Sequence, residues 1–213
     1  MGAQVLGVDG TSRGWVAAVL PRPHLIHVGQ LSELPRAAAI GIDIPLGFPG
    51  PGERRPAEVA ALERLGSRRS SLFPTPVRSV YDATDYTHAC HISREASGRA
   101  ISRQTWSLRN KVLEAEQTLA GQPVIEVHPE TVFATIAGAP AEFPKPSWDG
   151  LVERSNLLTS VGLTPSVFTG CAGAAKPDDV VDAIAAAWVA SRWLAGEAEA
   201  LGAASGQDCP IWT

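Results

Sequence analysis

The chain has 213 residues, 45% of them hydrophobic and 19% charged, with a formal net charge of −4. That size and balance fit one globular domain that buries a full core without staples. The net acidity argues against a generic nucleic-acid coat, and the longest apolar region, Ala183 to Ala190, is too short to span a bilayer.

Met1 to Gly10 lacks the basic start and apolar stretch of a signal peptide, and Leu6 stands where a myristoylation signal needs Ser or Thr. Residues 4–9 read as a first strand ending in the turn Gly10-Thr11-Ser12-Arg13-Gly14. Residues 15–20 read as a second strand antiparallel to it, and residues 24–28 alternate as a third strand after Pro21-Arg22-Pro23. A short turn or helix is expected near Ser32 to Arg36. Ala38 to Ile44 is a continuous apolar run, as in a strand buried on both faces.

From Pro49 to Arg78 the chain turns rich in Pro, Arg and Ser, with helices expected near Ala57 to Leu65 and from Ser102, a plausible N-cap, to Leu119. The segment at about 49–121 reads as an insertion into a single domain spanning 1–213. Between Arg54 and Lys111 stand 11 basic and 5 acidic residues, a net of +6 inside an acidic chain. Such a middle either receives a polyanion or is a set of solvated helix faces.

Within the same segment, Thr87-His88-Ala89-Cys90-His91 looks like a metal motif but has no second ligand pair. The three cysteines, Cys90, Cys171 and Cys209, form neither a zinc pattern nor a disulfide framework, so a reducing cytoplasm is expected. Val124 to Val127 is a further strand, followed by a short helix after His128-Pro129-Glu130. Helices are expected over Ser147 to Val161 and Pro177 to Leu194.

Three hairpin-connected strands, a buried strand, then alternating helix and strand is the order of an RNase H-like α/β fold. The expectation is a mixed five-stranded sheet with the fourth strand parallel to the first, flanked by helices. Asp9 then closes the first strand and Asp43 the fourth, side by side, where two carboxylates repel unless a cation lies between them. In the last helix Asp178 fits the helix start, while Asp179 and Asp182, three apart, share a face. Asp9, Asp43, Asp179 and Asp182 are therefore the candidate catalytic and metal-binding set, suited to Mg²⁺ or Mn²⁺. Two such ions about 4 Å apart would activate water on a phosphodiester.

Glu126 and Glu130 are further candidates, with Glu126 alternatively paired to an arginine of the middle segment. His128 is either a proton shuttle or structural. Arg68, Arg69, Ser70, Ser71, Thr75, Arg78 and Arg103 offer phosphate-compatible donors, or an arginine cluster that neutralises the acids.

Several blocks carry a resemblance. They are Gly7-Val8-Asp9-Gly10, Gly41-Ile42-Asp43-Ile44-Pro45-Leu46-Gly47, Arg68 to Arg78, Ile101-Ser102-Arg103-Gln104, Glu126-Val127-His128-Pro129-Glu130 and Asp178 to Ala183. Together they resemble a bacterial and archaeal family of unknown function described as predicted nucleases with an RNase H-like fold. The last block is also similar to the final helix of the crossover-junction resolvases, which implies a metal-binding role for Asp179 and Asp182. The first block extends that role to Asp9. At the fourth strand those enzymes carry Glu where this chain has Asp43.

The expected activity is that of a metal-dependent phosphodiesterase or nuclease, acting on nucleic acid or a phosphorylated small molecule. The alternative is a non-catalytic RNase H-like protein that binds a small phosphorylated ligand or nucleotide. A phosphotransferase of the actin and sugar-kinase clan is a third reading, for which one chain of this length is too short to enclose ATP.

Overall fold

The computed structural model describes residues 2–203 and 209–213. β1 (Val5–Thr11), β2 (Gly14–Leu20) and β3 (His24–Val28) form an antiparallel meander. Gly14 closes the first turn at φ 124°, and a Cβ there would lie 2.1 Å from the Val28 carbonyl oxygen, so only glycine fits. β4 (Ala39–Ile42) crosses to the other side of β1 and runs parallel to it.

The middle of the chain folds into four helices: α1 (Pro56–Leu65), α2 (Tyr86–Ser97), α3 (Arg103–Ser107) and α4 (Arg109–Thr118). The single helix expected from Ser102 to Leu119 is thus two, meeting at Leu108, with Ser102 capping the first by accepting from the Thr105 amide. The sequence did not announce α2. It begins at the Asp85 cap, which accepts from the His88 amide, and stops at Gly98 in the left-handed conformation. The motif-like Thr87 to His91 lies on this helix, where Cys90 is a buried free thiol and His91 pairs with Glu95 at 3.4 Å.

β5 (Val124–Val127), α5 (Pro129–Ala137), α6 (Trp148–Ser160), β6 (Thr169–Gly170), α7 (Pro177–Leu194), β7 (Ala200–Leu201) and β8 (Ile211–Trp212) complete the order. Among the described residues the sheet has eight strands, in the order β6-β3-β2-β1-β4-β5-β8-β7, where five were expected. The five expected strands occupy its centre. The other three are two-residue strands, β6 at one edge and β8 then β7 at the other side, too short to show periodicity. No helix among the described residues is long and apolar enough to cross a membrane.

Two cores flank the sheet. Val5, Ala39 and Val127 face α5, α6 and α7, while Leu6, Val8, Ile40 and Ile42 face α4. Gly7 and Gly41, paired across β1 and β4, share the α7 face with Val5 and Ala39 because side chains alternate. A Cβ on Gly7 would stand 1.9 Å from the Ala187 amide nitrogen, and one on Gly41 2.5 Å from the Ala186 carbonyl oxygen. The two glycines therefore let the α7 backbone lie directly on the sheet. This contact fixes where the start of α7 ends up, and with it the site.

Candidate metal centre

Both central strands carry the pattern Gly-x-Asp, in Gly7-Val8-Asp9 and Gly41-Ile42-Asp43. Two residues along a strand return to the same face, so each aspartate projects on the α7 side, one pleat beyond the glycine that seats the helix. The Asp43 amide donates to the Val8 carbonyl at 3.0 Å, which holds Asp43 against the end of β1. On α7, Asp182 immediately precedes Ala183, whose carbonyl lies against Gly7. One carboxylate oxygen each from Asp9, Asp43 and Asp182 consequently lies within 4.8 Å of the others.

The electrostatics match the crowding. Burial and the neighbouring Asp43 and Asp182 charges push the Asp9 carboxyl well above its ordinary range. Burial raises Asp43 to about 6 and Asp182 to about 7, each lowered in part by Lys145. Asp182 is 1% exposed, and its Oδ1 is buried without a hydrogen-bond partner among the described residues. A buried carboxylate oxygen without a partner is costly, and a cation is one way to satisfy it.

Asp179 stands apart from this trio. Its carboxylate accepts from the Lys176 amide at 2.8 Å, a capping contact one turn earlier on α7. Glu126 accepts from both Nη1 and Nη2 of Arg55, at 2.8 and 2.5 Å, and from the Leu46 amide. That is the ion pair with a middle-segment arginine that the sequence reading held open. Glu130 is likewise held by Nε and Nη2 of Arg154, at 2.6 and 2.8 Å, in an ion pair whose arginine is 2% exposed. His128 is half-buried, with Nδ1 unpartnered among the described residues, and burial lowers its pKa.

The arginine segment does not converge on the acids. Arg68 donates from Nε to the Ala141 carbonyl at 2.8 Å and from Nη2 to the Glu142 carbonyl, tying down the loop between α5 and α6. Arg78 pairs with Asp82 and Glu116. Arg103 stacks on Tyr86, 4.5 Å from the ring centroid. Arg69 and Ser70 are exposed, and the Ser71 hydroxyl donates to the Arg68 carbonyl. Thr75 is buried, its amide donating to Glu58 and its hydroxyl accepting from Arg55.

Two lysines that sequence spacing does not single out as site residues flank the carboxylates. Lys145 donates to Asp182 Oδ2, and the Asp182, Asp43 and Asp9 charges raise its pKa against the cost of burial. It sits between Pro144 and Pro146 on the loop that Arg68 anchors; those two stiffening prolines were the only signal that pointed to it. Lys111 donates to the Gly14 carbonyl at 2.6 Å and lies 4.1 Å from the centre of the Trp15 ring. Both lysines line a cavity of about 270 Å³ with Asp9, Asp43, Ser71 and His128.

No curated protein and no solved structure matches the chain. A family described as a protein of unknown function, DUF429, matches residues 7–205, which includes all three converging aspartates. The chain belongs to that DUF429 family.

Proposed function

We propose that the protein is a metal-dependent phosphodiesterase of RNase H-like fold, with one divalent cation, Mg²⁺ or Mn²⁺, held by Asp9, Asp43 and Asp182. The central strand order β3-β2-β1-β4-β5, antiparallel then parallel, supports the fold. The observation that carries the function is the convergence of three carboxylate oxygens within 4.8 Å, one of the residues buried with an unpartnered oxygen. Oxygens about 2.0–2.1 Å from a shared Mg²⁺ lie at most about 4.2 Å apart, so small side-chain movements would close this trio around the ion.

Charge favours one cation over the two expected from the sequence. Three carboxylates less the Lys145 ammonium leave a net of −2 when all are ionised. Asp179, Glu126 and Glu130, which would complete a second site, are spent on a cap and on two arginines. When bound, the cation would polarise a phosphodiester oxygen and acidify the attacking water. Lys145 would then supply the second positive charge at the phosphate. In hydrolysis the water oxygen bonds to phosphorus, the ester P–O bond breaks, the water proton goes to a base and the leaving oxygen takes one up. His128, kept neutral by burial and lining the same cavity, is the base the geometry favours.

Hydrolysis of bis(p-nitrophenyl) phosphate tests the reading. The wild type should turn over with Mg²⁺ or Mn²⁺ and not in EDTA. Asp9→Asn and Asp182→Asn should each lose about a hundredfold or more. Turnover that survives both substitutions would remove the carboxylates from the mechanism.

A further inference from the structure

The cavity around the carboxylates, about 270 Å³, lies below the roughly 300–1,000 Å³ usual for small-molecule sites. It has room for a phosphodiester group but not for the nucleosides on either side. A second groove of about 530 Å³ adjoins it, and Glu58, Phe73 and Thr75 line both. Glu58 and Thr75 are buried, so Phe73, 39% exposed, is the accessible side chain at the junction. The groove runs from there between α1 and the C-terminal end of α2.

Its chemistry is mixed in a specific way. Arg54 and Arg99 line it, both exposed, and neither guanidinium is in an ion pair or hydrogen bond among the described residues. Of its two acids, Glu58 is engaged by Arg55 and the Thr75 amide, and Glu53 by the Gly50 amide. Glu53 stays an exposed carboxylate without a cationic partner among the described residues, so with Arg54 and Arg99 the open surface of the groove carries a net positive charge. Apolar side chains such as Val59 and Ile101 share the remaining wall with Ser93, Ser97, Ser102 and Thr105, and Pro49, Pro74 and Pro76 stiffen it, so little order would be lost on binding. A flat aromatic face beside the scissile position, with two unengaged guanidinium groups farther along, is complementary to a base followed by phosphates.

From this we infer that the groove between Phe73 and Arg99 is a subsite for single-stranded nucleic acid, binding the nucleotide next to the scissile phosphate with its base against Phe73 and the following phosphates against Arg54 and Arg99. The inference rests on the phosphodiesterase reading and gives it a substrate class. A continuous duplex keeps its bases stacked on one another and offers Phe73 no face, whereas an unpaired strand does.

The test compares a 12-residue single strand, as DNA and as RNA, its blunt duplex, and bis(p-nitrophenyl) phosphate, which is too short to reach the groove. Wild type, Phe73→Ala and the double variant Arg54→Ala with Arg99→Ala are assayed with Mn²⁺. Binding of the labelled strands is followed by fluorescence anisotropy in Ca²⁺. At least one of the two single strands should be cleaved in preference to the duplex. In each variant the KM for that strand, relative to the KM for the small ester, should rise about tenfold, as expected for loss of one stacking contact or of two phosphate contacts. A ratio that does not move, or a duplex cleaved as well as either strand, overturns the subsite. If the wild type hydrolyses neither the ester nor any strand, the phosphodiesterase reading fails and anisotropy alone decides the groove. Strand binding weakened in Phe73→Ala then sustains it, and absence of strand binding in the wild type overturns it.

Discussion

Asp182 is the residue on which most of the site's energetics converge. It is fully buried, one oxygen faces Lys145, the other has no partner among the described residues, and its pKa is raised to about 7. Asp43, raised to about 6, and Asp9 are shifted in the same direction. An acid that titrates higher in the folded chain than in the unfolded one gives the folded state the extra protons between the two values. Stability therefore falls as the pH rises from the ordinary carboxylate value of 3.8 through about 6 to 7. Melting curves in EDTA should decline from about pH 5 to about pH 8, and saturating Mg²⁺ should flatten the decline. A flat profile without metal would mean that the three carboxylates do not strain the fold.

Lys145 gives a second test at this scale. Its ammonium competes with a cation for Asp182, so Lys145→Ala should bind Mn²⁺ more tightly while hydrolysing phosphodiesters more slowly. A lysine that only balances charge would tighten the metal and leave turnover alone.

Among the elements, β1, β4 and α7 make the site, and two glycines set their separation. Gly7→Ala would place a Cβ 1.9 Å from a backbone atom of α7, which no rotamer change relieves. The expected cost is about 3 kcal/mol or more, read as a shifted urea midpoint, with metal-dependent stabilisation lost in whatever remains folded. Gly41→Ala should act the same way, whereas a mild effect at both positions would contradict the seating of α7. The loop between α5 and α6 depends on Arg68, which bonds to the carbonyls of Ala141 and Glu142 three to four residues before Lys145. Arg68→Ala should lower turnover as Lys145→Ala does, with Mn²⁺ binding retained.

This central part was legible in the sequence because each strand is a continuous apolar run that ends in Asp, and because α7 is apolar nearly all round after its acidic start. Legibility failed where pattern and partner separate. The arginines of residues 68 to 78 read as phosphate donors, yet Arg68 is committed to carbonyls, and Arg78 to Asp82 one turn on and to Glu116 far along the chain. Glu130 adjoins His128 as if the two belonged to one motif, but it is neutralised by Arg154, 24 positions away. Lys145 reaches Asp182 across 37 positions from a loop without periodicity. Such pairings are set by tertiary packing, and single-chain spacing does not encode them.

At the scale of the whole molecule, charge is partitioned. The chain carries −4 overall, its middle segment is basic, and Asp9 and Asp43 line a cavity where that segment meets the sheet. Asp9, Asp43 and Lys145 line a cavity whose size suits a phosphate, with Asp182 buried against Lys145, and the arginine-lined groove leads away from it. A site of this kind gains stability from any cation that binds the folded state and not the unfolded chain. The most direct measurement is a Mn²⁺ titration followed by electron paramagnetic resonance of the free ion, on wild type and Asp182→Asn. One Mn²⁺ should bind per wild-type chain, with that site lost in the variant. Two ions per wild-type chain, none, or a site undiminished by Asp182→Asn would contradict a single cation held by Asp9, Asp43 and Asp182.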